Sequence, residues 1–494
     1  MTNFYMADKS IAKRFMIHSL KSEMMQMTSR NPRSVIFRLA PLVLALLVSA
    51  CTVGPDYQRP SAPLSLEFKE AKGWTAAVPR DNQTKGDWWA VYQDPELSSL
   101  LSQVQISNQN VAQYAAQYRE AQALVTQAHS GLYPSVDASA GSTRSGTSQA
   151  VTNKQSAELS ASWELDLWGK LRRTVEEDKA SAQASKADLA DATLSAQSEL
   201  AQDYFQLRVM DEQIALYNRS IAAYERYQTI IENQYVGGNT SRATLAQAQT
   251  QLESTRASAL QLQWQRAQME HAIAVLIGKP PAQFTLTARE IKFTLPSIPP
   301  GMPSQLLQRR PDIAAAERNM ASANAAVGVA TAAYYPDLTL SASGGFTSDA
   351  LHNLFSLPNR VWSLGPELSQ TVLDFGATRG KVAQAEAAYD AQVAAYRQSV
   401  LVALQEVEDY LVELHTLDAQ TLAQQRAADA AKESARVTYN QYQAGMIDYL
   451  DVATTENTSL SQQQNVLSLL STQMVTSVKL IAALGGGWKG DVGE

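Results

Sequence analysis

Residues 156–167 read Ser-Ala-Glu-Leu-Ser-Ala-Ser-Trp-Glu-Leu-Asp-Leu, and their alternation decides how this part of the chain folds. From Leu159 to Leu167 every second side chain is apolar, and those between are Ser, Glu or Asp. Because successive side chains of a β-strand point to opposite faces, the stretch predicts a strand with one apolar and one polar face. A tilted strand needs about 9–11 residues to cross a bilayer, and this stretch is long enough.

Three other stretches have the same character: residues 133–147, 337–343 and 361–373. Aromatic residues lie near the ends of these strands, as in the girdles of outer-membrane barrels: Tyr133, Trp163, Trp168, Tyr334, Tyr335, Trp362 and Phe375. Two soluble hairpins would give the same pattern. In a membrane, four strands are too few, because known barrels begin at about eight and open edges are unstable in lipid. A membrane sheet therefore requires an oligomer, and three copies would supply twelve strands.

A very long helix is predicted after the first pair of strands. Residues 174–235 contain neither Pro nor Gly, and about 60 helical residues span roughly 90 Å. Leu200, Leu207, Ile214 and Ile221 recur every seven residues, which is typical of a coiled coil. A generic helix bundle with one core stripe would show the same spacing.

The chain contains two copies of one pattern. The landmarks of the first copy recur 202 to 208 positions later: Tyr133-Pro134 as Tyr335-Pro336, Leu165-Asp166 as Leu373-Asp374, and Gln234-Tyr235 as Gln441-Tyr442. Each copy therefore predicts a helix, a strand pair, a very long helix, a Gly turn and a second helix.

The N-terminal part has the features of a secretory signal peptide. Residues 1–50 carry seven Lys or Arg and two Asp or Glu, and the apolar run from Leu39 to Val48 is too short to span a bilayer. The leader is long, which leaves open a start at Met24, Met25 or Met27 and residues 1–23 as a mis-called start.

The leader ends Leu47-Val48-Ser49-Ala50-Cys51, and Cys51 is the only cysteine of the chain. This ending resembles the bacterial lipobox, which implies that Cys51 is lipidated and becomes the mature N-terminus. Thr52 follows it in place of an Asp retention signal, so the outer membrane is the expected location. An ordinary signal peptide followed by a free thiol is the alternative.

Composition excludes several classes of protein. The chain has 494 residues and a formal net charge of −7, and without residues 1–50 the charge is −12, which argues against nucleic-acid binding. One Cys and five scattered His give no metal site, and no nucleotide-binding or hydrolase motif is present, so we expect no cofactor and no enzyme. No later stretch reaches 18 consecutive apolar residues, so membrane spanning is expected to use strands.

The mature chain resembles the outer-membrane efflux lipoproteins of the OprM type, in the TolC superfamily. Four groups of residues carry the resemblance: Cys51-Thr52-Val53-Gly54-Pro55-Asp56-Tyr57 with Pro60; Asp87-Trp88-Trp89 with Tyr92, Asp94-Pro95 and Leu97; Arg309-Arg310-Pro311-Asp312-Ile313 with Glu317; and Leu484-Gly485-Gly486-Gly487-Trp488.

The resemblance implies a mainly α-helical, TolC-like homotrimer whose twelve-stranded membrane β-barrel continues into a long coiled helical tunnel. It would conduct drugs, toxic compounds or metal ions passively out of the periplasm. Its partners would be outer-membrane lipid, a periplasmic adaptor and an inner-membrane transporter of the resistance-nodulation-division class. Two alternatives remain: a channel for type I protein secretion, and a non-channel coiled-coil surface lipoprotein.

The same resemblance implies a periplasmic gate where the long helices turn back, at Gly237-Gly238 and Gly445. Asp451 falls on an acidic ring position of related channels and Leu450 on a leucine ring position, with Asp448 as a further candidate. Arg242, in the first copy, is a candidate partner for an acid on a neighbouring helix. Thr454 replaces the second acid of the family, which leaves cation selectivity open.

These predictions divide the chain into five parts. Residues 1–50 form the signal peptide and 51–100 the lipidated N-terminal segment. Residues 101–300 and 301–488 form the first and second outer-membrane efflux repeats, and 489–494 the C-terminal tail.

Overall fold

The protein is described from a computed structural model, which covers residues 52–62, 68–71, 87–148, 150–289, 295–296 and 309–486. The predicted signal peptide, the lipid acceptor Cys51, the last two residues of the closing motif (Gly487 and Trp488) and the C-terminal tail lie outside the described residues.

Seven long helices and four strands make up the described chain. The helices are α1 (Pro95–Ser107), α2 (Gln109–Ser130), α3 (Lys170–Val236), α4 (Arg242–Leu276), α5 (Pro311–Ala332), α6 (Ala377–Gln443) and α7 (Tyr449–Ala483). The strands are β1 (Ser135–Gly146), β2 (Val151–Leu165), β3 (Asp337–Ser348) and β4 (Arg360–Ser369).

The internal repeat extends to the length of each helix. Helices α2 and α5 have 22 residues each, α3 and α6 have 67, and α4 and α7 have 35. The turns use glycines with positive φ in pairs 207 positions apart: Gly169 with Gly376, Gly238 with Gly445, and Gly278 with Gly485. Both copies therefore start and stop their helices with the same backbone geometry, which glycine adopts without steric cost.

The strands form one antiparallel sheet in the order β1-β2-β3-β4. Its register aligns the apolar positions of all four strands, because Leu159 lies opposite Ala138 of β1 and Gly344 of β3, and Gly344 lies opposite Trp362 of β4. One face of the sheet is therefore apolar over most of its length, and the opposite face carries mainly Ser, Thr, Asp and Glu. Toward the hairpin connections the first face also carries polar and charged residues: Ser142, Arg144, Asn153, Gln155 and Arg360. The alternation predicted for residues 156–167 holds across the sheet.

Three predicted strand limits are wrong by four or more residues. Strand β3 ends at Ser348 rather than at residue 343, because β2 pairs with it as far as Gln155. Strand β2 begins at Val151 rather than at residue 156, because β1 pairs with it as far as Gly146. Strand β4 ends at Ser369 rather than at Leu373, because its partner β3 begins at Asp337 and offers no further ladder position. The residue before Asp337 is Pro336, which has no N–H to donate.

The chain divides into two compact units. One holds the sheet, within Gly131–Arg173 and Thr331–Phe375, together with Thr52–Gly54. The other holds most of the helical residues. Its core includes Leu200 and Leu207 from the predicted seven-residue repeat of α3, and Val400, Val407 and Leu414, which are spaced seven apart on α6, all at most 5% exposed.

One helix among the described residues, α7, is long and apolar enough to cross a membrane by length and composition. This helix contains Ser, Thr, Gln and Lys, so it has no run of 18 consecutive apolar residues. Met474 and Val478 of α7 are at most 1% exposed and belong to the core of the helical unit. A core helix of a bundle passes the same test.

Candidate functional site: the two helical turns, the sheet and the N-terminal segment

The turn between α3 and α4 is built on Gly238, whose φ is +74°. Its N–H donates to the Tyr235 carbonyl (3.0 Å), and the Ser241 hydroxyl caps α4 by accepting from the N–H of Thr244 (3.1 Å). Gly237 precedes this turn without a positive φ. Arg242 is the first residue of α4, is exposed, and has no hydrogen-bond or ion-pair partner in the described part of this chain.

The turn between α6 and α7 repeats this geometry at Gly445, whose φ is +72°. Asp448 takes the N-cap position of α7, but its side chain caps no N–H. Its carbonyl accepts from the N–H of Asp451 (3.2 Å). The Asp448 carboxylate is therefore not engaged by the helix that it precedes.

The first turns of α7 have two distinct faces. Tyr449, Val452 and Ala453 are buried, whereas Leu450 (54% exposed) and Asp451 point away from them. The Asp451 carboxylate has no partner within the described chain. The two gate candidates of α7 thus lie together on its exposed face.

Thr454 lies on the same exposed face, one turn further along α7. Its hydroxyl donates to the Leu450 carbonyl at 2.7 Å. Thr454 is neutral and its hydroxyl is used within α7, so it adds no charge to this face. Asp451 therefore supplies the negative charge of the exposed face in the first two turns of α7.

Behind this face lies a tyrosine cluster that sequence reasoning missed. The Tyr227 hydroxyl donates to Glu456 Oε1 (2.9 Å), and the Tyr442 hydroxyl donates to Gln234 Oε1 (3.0 Å). Burial, together with the Glu456 charge, raises the pKa of Tyr227, so its hydroxyl stays a donor. These bonds join the α3–α4 hairpin to the α6–α7 hairpin near their turns, and their partners are more than 200 residues apart in sequence.

The start of α1 anchors an ionic cluster, also unpredicted. Asp94 caps α1 through the N–H of Glu96 (2.9 Å), and accepts from Tyr204 (2.7 Å) and Arg289 (2.9 Å). Burial alone would raise the pKa of Asp94, but the hydrogen bonds from Tyr204 and the helix N–H groups, with the Arg289 charge, hold it below its usual value. Next to it, the fully buried Arg208 pairs with Glu96 at 2.6 Å.

Arg310 forms a second ionic cluster at the start of α5. It pairs with Asp312 (2.7 Å) and Glu406 (2.6 Å), and also donates to the Ala483 carbonyl (3.2 Å) at the end of α7. Helix α5 begins at Pro311, and Asp312 lies in its first turn. Each ionic cluster fixes helix ends in place, and neither resembles a catalytic site.

Two acids of α3, Asp191 and Asp203, form no ion pair within the described part of the chain. Burial, and then the Asp312 charge, raise the pKa of Asp191 to about 6. Burial, and then the Glu199 charge, raise the pKa of Asp203 to about 7. Asp191 and Glu199 line two adjoining cavities of about 330 and 480 Å³. Among the described residues, no group of three or more His, Cys, Asp or Glu side chains is arranged to hold a metal ion.

The apolar face of the sheet is uncovered in the chain. Val136, Leu159, Trp362 and Leu364 are between 59% and 75% exposed. A continuous apolar surface of this kind marks an interaction with lipid or with another chain. Trp168 and Tyr335 stack at 4.8 Å at the end of the sheet opposite the hairpin connections, where an interfacial aromatic girdle is expected.

The segment that follows Cys51 is fixed to that end of the sheet. The Val53 N–H donates to the Trp168 carbonyl (2.9 Å), and Arg173 donates to the Val53 and Gly54 carbonyls (3.3 Å each). Gly169 has no side chain, which leaves room for Thr52 against it. Residue 52, next to the predicted acceptor Cys51, therefore lies beside the aromatic end of the sheet.

Comparison with known proteins decides the class. A family model described as outer membrane efflux protein matches residues 100–279 and 302–486. The chain belongs to this family. Its members are outer-membrane components of efflux systems, so the protein is an efflux duct of the outer membrane, a passive channel and not an enzyme.

Relatives that match 90% of the chain agree with this assignment. A probable outer membrane lipoprotein of Salmonella typhimurium, SilC, is 29% identical over 449 residues, which cover 90% of this chain and 97% of SilC. The pyoverdine export outer membrane protein OpmQ of Pseudomonas aeruginosa is 31% identical over 461 residues, covering 90% and 97% of the two chains.

Among solved structures, the outer-membrane channel OprN superposes with a TM-score of 0.81 at 29% identity, over 89% of this chain and all of OprN. The predicted TolC-like fold, mainly helical with four antiparallel strands, is confirmed.

Proposed function

We propose that three copies of this chain form the exit duct of a tripartite efflux pump, which carries small molecules from the periplasm to the exterior. The single observation that carries the proposal is the sheet, with one apolar exposed face, one polar face and two unpaired edges. Each outer edge, on β1 and on β4, lacks a ladder partner within the described chain. Each unpaired N–H or C=O group costs roughly several kcal/mol of free energy in hydrocarbon. The two edges must therefore pair with the edges of other copies of the sheet.

Insertion of the sheet is tested by placing the same charge on its two faces. Leu364 (75% exposed) lies on the apolar face, and its neighbour Ser363 lies on the polar face, where it hydrogen-bonds Ser343 (3.0 Å). At the bilayer midplane a lipid-facing Lys costs about 2–4 kcal/mol, whereas a lumen-facing one is tolerated. Leu364→Lys should therefore reduce assembly of conducting trimers in the outer membrane, and Ser363→Lys should not. Equal assembly of both variants, or a chain that never conducts in planar bilayers, argues against the duct.

The lipid anchor is proposed at Cys51. It is supported by the lipobox that precedes Cys51, by the hydrogen bond that ties Val53 beside the aromatic end of the sheet, and by the lipoprotein name of SilC. Acyl chains on Cys51 would then start where the sheet meets the membrane surface. Mass spectrometry of the mature N-terminus should find acylated Cys51, and Cys51→Ser should abolish the modification. A mature chain that begins upstream of Cys51, or an unmodified thiol, contradicts this.

The resting gate is proposed at the turns, with Leu450 and Asp451 as its constriction, Asp448 beside them and Arg242 as a cation from the first copy. It is supported by the free Asp451 carboxylate on the exposed face of α7 and by the buried tyrosines that hold that face in position. Three Asp451 carboxylates around a threefold axis would repel each other and attract cations.

We propose small molecules as cargo, and a periplasmic adaptor with a resistance-nodulation-division transporter as partners. Pyoverdine, the cargo in the name of OpmQ, is a small molecule and not a protein, which favours efflux over type I secretion. Deletion of the gene should sensitise cells to compounds that the partner pump exports. Loss of a secreted protein without any change in sensitivity would favour the secretion alternative.

A further inference from the structure

The two hairpins of the sheet have very different connections. Residues 147–150 join β1 to β2 and are Thr-Ser-Gln-Ala, whereas residues 349–359 join β3 to β4 and include three Leu and a Phe. A hairpin closes with about 2–5 residues, so the longer connection, which we call the apolar loop, is not needed to join its strands.

The apolar loop is folded rather than merely long. It contains two short 3-10 turns, Leu351–Asn353 and Leu357–Asn359. The Asn359 side chain donates to the Asn353 carbonyl (2.8 Å), and the Ser356 N–H donates to the same carbonyl (3.0 Å). Leu354 is only 5% exposed and anchors the loop.

Its remaining large apolar side chains point outward. Leu351 and Phe355 are each 72% exposed and Leu357 is 81% exposed. Exposed apolar side chains do not stabilise a folded loop in water. Three of them together on one loop indicate a surface that binds lipid or another molecule.

One contact shows which way the apolar loop faces. The Phe355 ring packs edge-on against Phe346 of β3, with centroids 5.5 Å apart. Phe346 lies opposite Ala157 in the register and therefore belongs to the apolar face of the sheet. Gly344 lies two residues before Phe346 on β3 and opposite Trp362 of β4. Gly344 has no side chain to cover Trp362, which is 73% exposed on the same face. The loop thus lies on the side of the apolar face, which it joins at Phe346 beside the cross-strand neighbour Arg360, and does not turn toward the polar face.

We propose that the apolar loop is a lipid-contacting element, which inserts Phe355 and Leu357 among the acyl chains of the leaflet on the hairpin side of the sheet. The proposal rests on the proposed function, because it requires the apolar face to lie in a membrane. Its support is the continuity of the loop with that face through Phe346. The β1–β2 connection has no comparable side chain, so each chain would contact the leaflet through one hairpin only.

The depth of the loop is measured with spin labels in the full-length trimer in lipid vesicles. Labels are attached at Phe355→Cys and at Leu357→Cys, and their collisions with oxygen, which enters lipid, and with a water-soluble nickel chelate are compared. Ser148→Cys, in the β1–β2 connection, is the aqueous control, and Leu364→Cys, on the apolar face of β4, is the lipid control. The parent protein, treated with label in parallel, gives the background at Cys51.

Both loop labels should gain oxygen collisions and lose nickel collisions relative to Ser148, to the level at Leu364. Nickel accessibility equal to that at Ser148 would overturn the inference, as would exclusion of both reagents, which would mean that the loops of the three copies pack together over the channel mouth. If Leu364 itself is accessible to nickel, the sheet is not in lipid and the proposed function fails instead. Two loop positions keep the result clear if one substitution prevents folding.

Discussion

Arg266 of α4 donates a hydrogen bond to the Asp211 carboxylate of α3, with 2.7 Å between Nε and Oδ1. The same bridge recurs 207 positions later, where Gln473 of α7 donates to Asp418 of α6 at 3.0 Å. Both bridges span 55 residues and join a long helix to the helix that follows it. The second copy therefore has the same bridge with a neutral donor, Gln473, in place of the positively charged Arg266.

The two bridges differ in burial, which makes them a matched pair for mutation. The Asp211 side chain is 3% exposed and also pairs with the buried Arg208 (2.9 Å), whereas Asp418 is exposed. Asp211→Asn takes a negative charge away from the buried Arg208 and the partly buried Arg266, and should lower the free energy of unfolding by about 2–3 kcal/mol. Asp418→Asn should change it by less than about 0.5 kcal/mol. Denaturant midpoints of the purified protein measure both, and equal losses would show that the buried charge is unimportant.

Gly445 and Gly485, which follow the ends of α6 and α7, differ in how closely other atoms surround them. Gly485 has a φ of +89°, and a Cβ there would collide with the Arg309 carbonyl, whereas Gly445 has a φ of +72° and open space around it. Gly445→Ala should cost about 1 kcal/mol through its backbone alone. Gly485→Ala should cost about 3 kcal/mol or more, because the start of α5 must also move. Thermal unfolding would contradict this if the two variants lost the same stability.

The sequence predicts the parts of this fold that depend on local periodicity. The 67-residue helices, their Gly turns and the two-faced strand at residues 156–167 follow from the spacing of apolar residues and breakers. The tyrosine cluster and the ionic bridges do not, because a pair such as Tyr227 and Glu456 is 229 residues apart and no local pattern relates its members. The end of β4 was missed for a similar reason, since it depends on where β3 starts.

Removal of the proposed gate charges should increase conduction. Asp451 is exposed at the start of α7, and its carboxylate has no partner within the described chain. Asp451→Ala combined with Asp448→Ala should raise single-channel conductance in planar bilayers and reduce the preference for cations, because like charges at a constriction are lost.

The control for the gate variant removes a charge elsewhere. Glu433 lies on the surface of α6 and pairs there with Arg436 at 2.6 Å. Glu433→Ala should leave conductance and ion preference unchanged. If the Asp451 and Asp448 variant conducts as the parent does, the acids at the turn do not form the gate.

The partly buried Asp203 should make the protein less stable as pH rises. Its folded pKa of about 7 lies above the unfolded value of 3.8, because burial and then the Glu199 charge disfavour the carboxylate. The folded chain therefore binds more protons than the unfolded chain between these values, and stability falls as pH rises from about 4 to 7. Asp203→Asn should remove this fall and unfold at a higher denaturant concentration than the parent at pH 8. Glu199→Gln removes the repelling charge and should give a smaller gain of the same sign, and identical pH profiles for parent and Asp203→Asn would contradict the assignment.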